Sequence, residues 1–193
     1  MADDSFARFV SLACHDLRTP LATVSGFAHT LRQNEIGQPA DRYVEMIQAA
    51  SGQIAEILDD LGLAARIESG RFAPNLVPAD SLELAQVAAG RVGEKALAAG
   101  TGAEVLVERE ATERGLAAFA RCVLRHGGLE QVDLTAEGAM VVISPVLEGV
   151  GPIVLGDDLK DLGSVVARRL VEATGGSVEL AGERLLVGLP RSS

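Results

Sequence analysis

Tryptophan is absent from this chain of 193 residues, and aromatic side chains make up only 3% of it. Alanine, valine and leucine must therefore do the packing, which suits closely spaced helices. Basic residues are scarce as well: 17 Lys and Arg against 27 Asp and Glu leave a net charge of −10. That excludes the electrostatic footprint of a nucleic-acid binder or of a protein drawn to an anionic membrane. Only two cysteines occur, Cys14 and Cys122. They give no disulfide framework and no metal-ligand spacing, and suggest reduced thiols in a cytoplasmic protein. The first residues, MADDSFARF, are acidic and lack the basic region and apolar core of a signal peptide. No uninterrupted apolar run approaches the ~20 residues of a membrane span. Internal repeats and low-complexity stretches are also missing. What remains is a chain that is 48% hydrophobic, long enough for one ordinary domain or two small ones.

The most informative stretch runs from Phe9 to Leu31. At about 100° per residue, Phe6, Val10, Ala13, Leu17, Leu21, Val24, Ala28 and Leu31 share one narrow stripe of a helix. This is the pattern of an amphipathic helix burying one face. His15 lies about 180° from that stripe. Asp16 is next in sequence, and Thr19 lies beside His15 one turn along. An exposed imidazole with a carboxylate and a hydroxyl close by is either a solvated surface histidine or a nucleophile. Pro20 lacks an N–H and clashes with the preceding turn, so a bend is expected just past these residues.

The run His15-Asp16-Leu17-Arg18-Thr19-Pro20-Leu21 resembles the H-box of the histidine-kinase dimerisation and phosphoacceptor domain, commonly H-[E/D]-x-x-[T/N]-P. The resemblance implies that His15 accepts a phosphoryl group and that Asp16 helps to take its proton. It further implies that Thr19 orients a water in the reverse, dephosphorylating direction. Leu12, Arg18 and Ala22 flank His15 and are candidates for docking a partner, against the alternative that they complete a helix bundle or its surface. Cys14 is assigned a packing role, and His29 is expected to be solvated.

Asp3 to Ser5 offer caps for the start of this first helix, which should fade near Asn34. Glu35 to Pro39 form a short Gly/Pro connector, and a second helix runs from Pro39 to about Glu68. Its apolar stripe includes Val44, Ile47, Ile54, Leu58, Leu61 and Ala65, with a stop at Ser69-Gly70. A short connector makes the helices antiparallel, and so wide a stripe predicts a homodimer closing a four-helix bundle. The segment Leu61 to Phe72 also resembles the end of the phosphoacceptor domain. Pro74 and Pro78 mark a boundary, which separates a helical domain over 1–72 from a second domain over 73–193.

The second domain reads as a helix from Ser81 to about Ala98, a strand over Glu104–Glu108 and a helix over Glu113–Arg125. A hairpin of Gln131–Thr135 and Ala139–Ser144 follows, then a helix over Asp161–Ala173 and a closing hairpin of Ser177–Leu180 with Arg184–Leu189. That order predicts an α/β sandwich. It is similar to the Bergerat-type ATP-binding domain of histidine kinases, most clearly from Leu162 to Leu180. The family features that carry nucleotide chemistry depart from this pattern. Cys122 stands where the family places a magnesium-binding asparagine, and magnesium wants oxygen ligands. After Val141-Val142-Ile143 comes Ser144-Pro145, with no aspartate to read adenine. The glycine-rich lid is shortened to about a dozen residues, and no phenylalanine follows Phe119. His126 is read as a helix-end histidine favoured by the dipole, and Asp157-Asp158 as a solvated turn.

The expected architecture is thus α plus α/β: an antiparallel helical hairpin forming a dimeric four-helix bundle, then a degenerate Bergerat-type sandwich. The resemblance is to histidine-kinase-like phosphotransferases of the ChpT-like kind. It implies relay of phosphate through His15 between response-regulator receiver domains. No cofactor or metal is expected on this chain, because the magnesium belongs to the receiver. Two other readings stay open: a sensor-kinase core that phosphorylates His15 from ATP, and a receiver-docking phosphatase or binding partner acting through Thr19.

Overall fold

The computed structural model describes residues 2–33 and 40–191. The expected connector over residues 35–39 lies outside them, as do the side chains of Phe6 and of the expected caps Asp3 to Ser5. The chain divides into two compact units, residues 1–62 and 63–193. Among the described residues, no helix is long and apolar enough to cross a membrane.

The first unit is built on α1 (Ala2–Gln33) and the greater part of α2 (Ala40–Glu68). Phe27 near the end of α1 stacks on Tyr43 near the start of α2, with ring centroids 5.4 Å apart and planes 25° from parallel. Such a contact brings the end of one helix to the start of the next, as in an antiparallel hairpin. Phe9, Ala13 and Ala50 are buried. Other members of the two stripes are not: Leu21 is 57% exposed and Leu58 55%, with Val10 and Val44 also exposed. A single copy of the chain therefore leaves much of its amphipathic pattern facing solvent.

Helix α2 ends as Ser69-Gly70 requires. Gly70 takes a φ of 65°, a left-handed conformation that costs glycine little. The Gly70 and Arg71 N–H groups donate back to the carbonyls of Ile67 and Arg66 at 3.1 and 2.9 Å, the paired bonds of a Schellman stop.

In the second unit, β1 (Val77–Asp80) pairs antiparallel with β3 (Glu104–Val107). A five-stranded sheet has the order β2 (Ala96–Gly102), β4 (Val132–Gly138), β5 (Met140–Ser144), β7 (Arg184–Gly188), β6 (Ser177–Ala181). Only β2 runs parallel to its neighbour. Helices α3 (Ser81–Val92), α4 (Arg109–Gly127) and α6 (Leu162–Ala173) supply the second layer. The core between the layers gathers Leu84, Leu116, Phe119, Leu134, Ile143 and Leu185, all with almost no exposed surface. This is the α/β sandwich expected from the order of elements.

Three departures from the sequence reading have physical causes. The helix expected to reach Ala98 stops at Val92, because Gly93 leaves the helical region at φ 94° and ψ −155°. The following Ala-Leu-Ala-Ala run is helix-favouring by propensity, yet it forms β2 because its backbone is taken up by β4 from Ala96 opposite Val132 onward. At Gly100 a Cβ would sit 2.2 Å from the Ala136 carbonyl oxygen, so the edge strand closes only with glycine there. Helix α4 starts at Arg109, a turn before Glu113, since Glu108 caps it by accepting from the Ala111 N–H at 3.2 Å. Finally, a short turn over Glu148–Val150 and α5 (Gly151–Val154) occupy the Gly/Pro-rich segment after β5. They bury Val150, Ile153 and Val154 in the core, beside Val146 of the preceding loop.

Candidate functional site

The face of α1 opposite Ala13 carries the candidate residues. The His15 side chain is 74% exposed, and its Nδ1 lies 3.2 Å from Asp16 Oδ1. A carboxylate at Nδ1 holds the proton on that nitrogen, which leaves Nε2 with a free lone pair. Thr19 is exposed one turn further on, and its carbonyl accepts from the Thr23 hydroxyl at 3.1 Å. Helix α1 runs through Pro20, which is buried. Having no N–H, Pro20 cannot donate to the carbonyl of Asp16.

The flanking residues differ among themselves. Arg18 and Ala22 are exposed, and Leu12 is half-buried. His29 is exposed. Cys14, expected to pack, is exposed instead; it stands one position past buried Ala13, at the margin of the apolar stripe. The His15 face can expose a nucleophilic nitrogen, orient it through Asp16 and present a hydroxyl alongside. It has the parts for phosphoryl acceptance.

A second cluster comes from the fold alone. Cys122 and His126, one turn apart on α4, meet Asp161, the residue that caps α6. Their ligand atoms lie within 4.8 Å of one another. Asp161 Oδ1 accepts from the Ser164 N–H at 3.0 Å, while Oδ2 lies 3.5 Å from both Arg125 Nη1 and His126 Nε2. Despite that approach, the buried His126 Nε2 makes no hydrogen bond. Burial, and then the Asp161 charge, push the Cys122 thiol up to about 12. His126 is thus not simply a helix-end histidine, since it faces a carboxylate. The signal in the sequence was the four-residue spacing of Cys122 and His126; Asp161, 35 positions beyond His126, could be joined to them only by the fold. Asp157 and Asp158 each have a cationic partner, Arg168 at 3.2 Å and Lys160 at 2.7 Å.

Between α4 and α6 the contacts are close. A Cβ on Gly115 would lie 3.3 Å from the Ala167 Cβ. The Ser164 hydroxyl donates to the Ile153 carbonyl at 3.2 Å, which ties α5 to α6. Apolar Val150, Ile153 and Val154 fill the neighbouring core.

Comparison with known proteins gives this geometry a context. Residues 7–70 match the His Kinase A (phospho-acceptor) domain. The chain is 29% identical to the histidine protein kinase DivJ of Caulobacter vibrioides, over 91% of its own length and 31% of that protein's. It is 26% identical to an uncharacterised sensor-like histidine kinase of Rhizobium meliloti, over 84% of its own length and 34% of the other's. The chain therefore spans about a third of the length of these curated relatives. Among solved structures, the histidine kinase AdeS of Acinetobacter baumannii shares the fold with a TM-score of 0.67 at 15% identity, covering 93% of this chain and 98% of that one. In architecture the chain is histidine-kinase-like: a helical hairpin that carries His15 and matches the phosphoacceptor-domain model is followed by a mixed α/β domain.

Proposed function

We propose that the chain is a histidine phosphotransferase that relays a phosphoryl group through His15 between the aspartates of response-regulator receiver domains, as a homodimer and without ATP. The observation that carries this reading is a contrast. His15 keeps an exposed imidazole with Asp16 at Nδ1, whereas the second domain carries a buried thiol, Cys122, where the family resemblance calls for an oxygen ligand to magnesium. Thiol and imidazole do not fit a hard cation that demands octahedral oxygens. The close packing of α4 against α6 and the apolar side chains of α5 likewise do not fit a nucleotide between those helices.

The transfer needs little from this chain. Nε2 attacks the phosphorus of a receiver aspartyl phosphate; the N–P bond forms as the P–O bond to the aspartate breaks, and the receiver regains its carboxylate. The Nδ1 proton stays on the ring, turned to the Asp16 carboxylate, which stabilises the positive charge that builds there. The receiver supplies the magnesium. The second receiver's carboxylate then reverses these events. The exposed Leu21, Leu58, Val10 and Val44 support a second copy of the hairpin closing a four-helix bundle.

A kinase core that loads His15 from ATP is the second reading, favoured by the likeness to DivJ over 91% of this chain. Thr19, exposed beside His15, favours a third, a receiver phosphatase. Mixing the chain with a receiver carrying labelled aspartyl phosphate tests the first reading. It predicts alkali-stable, acid-labile label on the chain that is lost in His15→Gln. Loss of receiver label with none on the chain would instead favour the phosphatase.

A further inference from the structure

The cluster of Cys122, His126 and Asp161 joins the last turns of α4 to the first turn of α6, and nothing in the relay chemistry uses it. Two of its residues stand four apart on one helix, so both side chains point to the same side. Helical metal ligands use this spacing. The third comes from the cap of the facing helix, with one carboxylate oxygen committed to the Ser164 N–H and the other 3.5 Å from both His126 Nε2 and the exposed Arg125 guanidinium. Nitrogen Nε2 of His126 is buried and makes no hydrogen bond, which is costly for a polar atom that has lost water.

We propose that Cys122 Sγ, His126 Nε2 and Asp161 Oδ2 form a three-ligand site for Zn2+. A tetrahedral zinc with bonds of about 2.0–2.3 Å sets its ligand atoms roughly 3.3–3.8 Å apart. The ligand atoms now lie within 4.8 Å of one another, a spread that must close by about 1 Å to hold zinc, with the fourth position left to water. The thiol proton leaves to solvent as the sulfur–zinc bond forms, one proton for each ion bound. Thiolate, imidazole and a single carboxylate oxygen suit zinc and not magnesium. The ion would bond His126 Nε2, which lies 3.5 Å from Asp161 Oδ2 without a hydrogen bond, and clamp α4 to α6. This assignment does not rest on the phosphotransfer reading, and its test involves no phosphoryl chemistry.

The test is a titration of the full chain, stripped with a chelator, with Co2+ as a spectroscopic stand-in. One equivalent should produce the near-ultraviolet thiolate-to-cobalt band, and one equivalent of Zn2+ should remove it, while Mg2+ in large excess should not. Cys122→Ser should abolish the band and Cys14→Ser should leave it intact. Asp161→Asn, which keeps a capping oxygen on α6, should weaken binding at least tenfold, as should His126→Gln. Zn2+ should also raise the thermal midpoint of the unmutated chain, with the rise growing as the logarithm of free Zn2+ above the dissociation constant, a readout that needs no variant to fold. Absence of the cobalt band, a band that depends on Cys14, or a midpoint that Zn2+ does not raise would each overturn the site.

Discussion

At His15 the chemistry turns on which ring nitrogen carries the proton. Under the proposed relay, the Asp16 carboxylate, 3.2 Å from Nδ1, selects the tautomer whose Nε2 attacks. Replacing His15 by Gln removes the acceptor from a side chain that is mostly in water. Transfer should vanish while the unfolding free energy changes by no more than a surface substitution allows, about 0.5 kcal/mol. Asp16→Asn should leave phosphorylation detectable and slow it about 100-fold, the lower end of general acid–base contributions; rapid-quench transfer from a phosphoreceiver measures it. The two thiols also differ by environment. Cys14 is exposed and Cys122 buried, with the Cys122 thiol raised from 9.0 to about 12. A raised thiol stays protonated at pH 8, and only the thiolate is nucleophilic. Timed alkylation of the native metal-free chain at pH 8 should modify Cys14 and spare Cys122 until the chain unfolds. At this scale the grouping of an exposed His15 with Asp16 and Thr19 was legible in the sequence, because all three lie within one turn of one helix. The Asp161 partner of Cys122 and His126 was not, because 35 positions and a change of element separate it from His126.

Among the elements, the helices announced themselves by period and caps. The stop at Ser69-Gly70 and the start of α6 at Asp161 both sit where the sequence placed them. Strand β2 did not announce itself: Ala-Leu-Ala-Ala has no strand preference of its own and is extended only because β4 receives it. Likewise the short α5 hides in a Gly/Pro-rich segment that reads as loop, and what orders it is burial of Ile153 and Val154. The cap of α3 offers a quantitative check. Asp80 Oδ1 accepts from the Leu82 and Glu83 N–H groups at 2.8 and 3.1 Å. Asp80→Ala should cost about 1 kcal/mol in a denaturant titration. Leu116→Ala, in a position with almost no exposed surface, should cost roughly 2–5 kcal/mol, the range for such truncations in a packed core.

For the molecule as a whole, the question is what covers the apolar surface that one hairpin leaves open. Leu21 and Leu58, each more than half exposed, lie on stripes that a second copy would bury. Light scattering should report twice the 20.1 kDa chain mass, and the double variant Leu21→Arg, Leu58→Arg should return it to the single mass. The architecture was legible from the sequence because two period patterns, helical throughout and then mixed, meet near Pro74. What each half now does is a matter of chemistry. Under the proposed relay, one half offers phosphate a nucleophile and the other no longer draws that phosphate from a nucleotide.

The most direct measurement incubates the purified chain with γ-labelled ATP and magnesium, before and after adding a phosphorylated receiver. A relay that works without ATP predicts no label on His15 from the nucleotide, and label once the receiver supplies it. Label on His15 from ATP alone would overturn that division of roles.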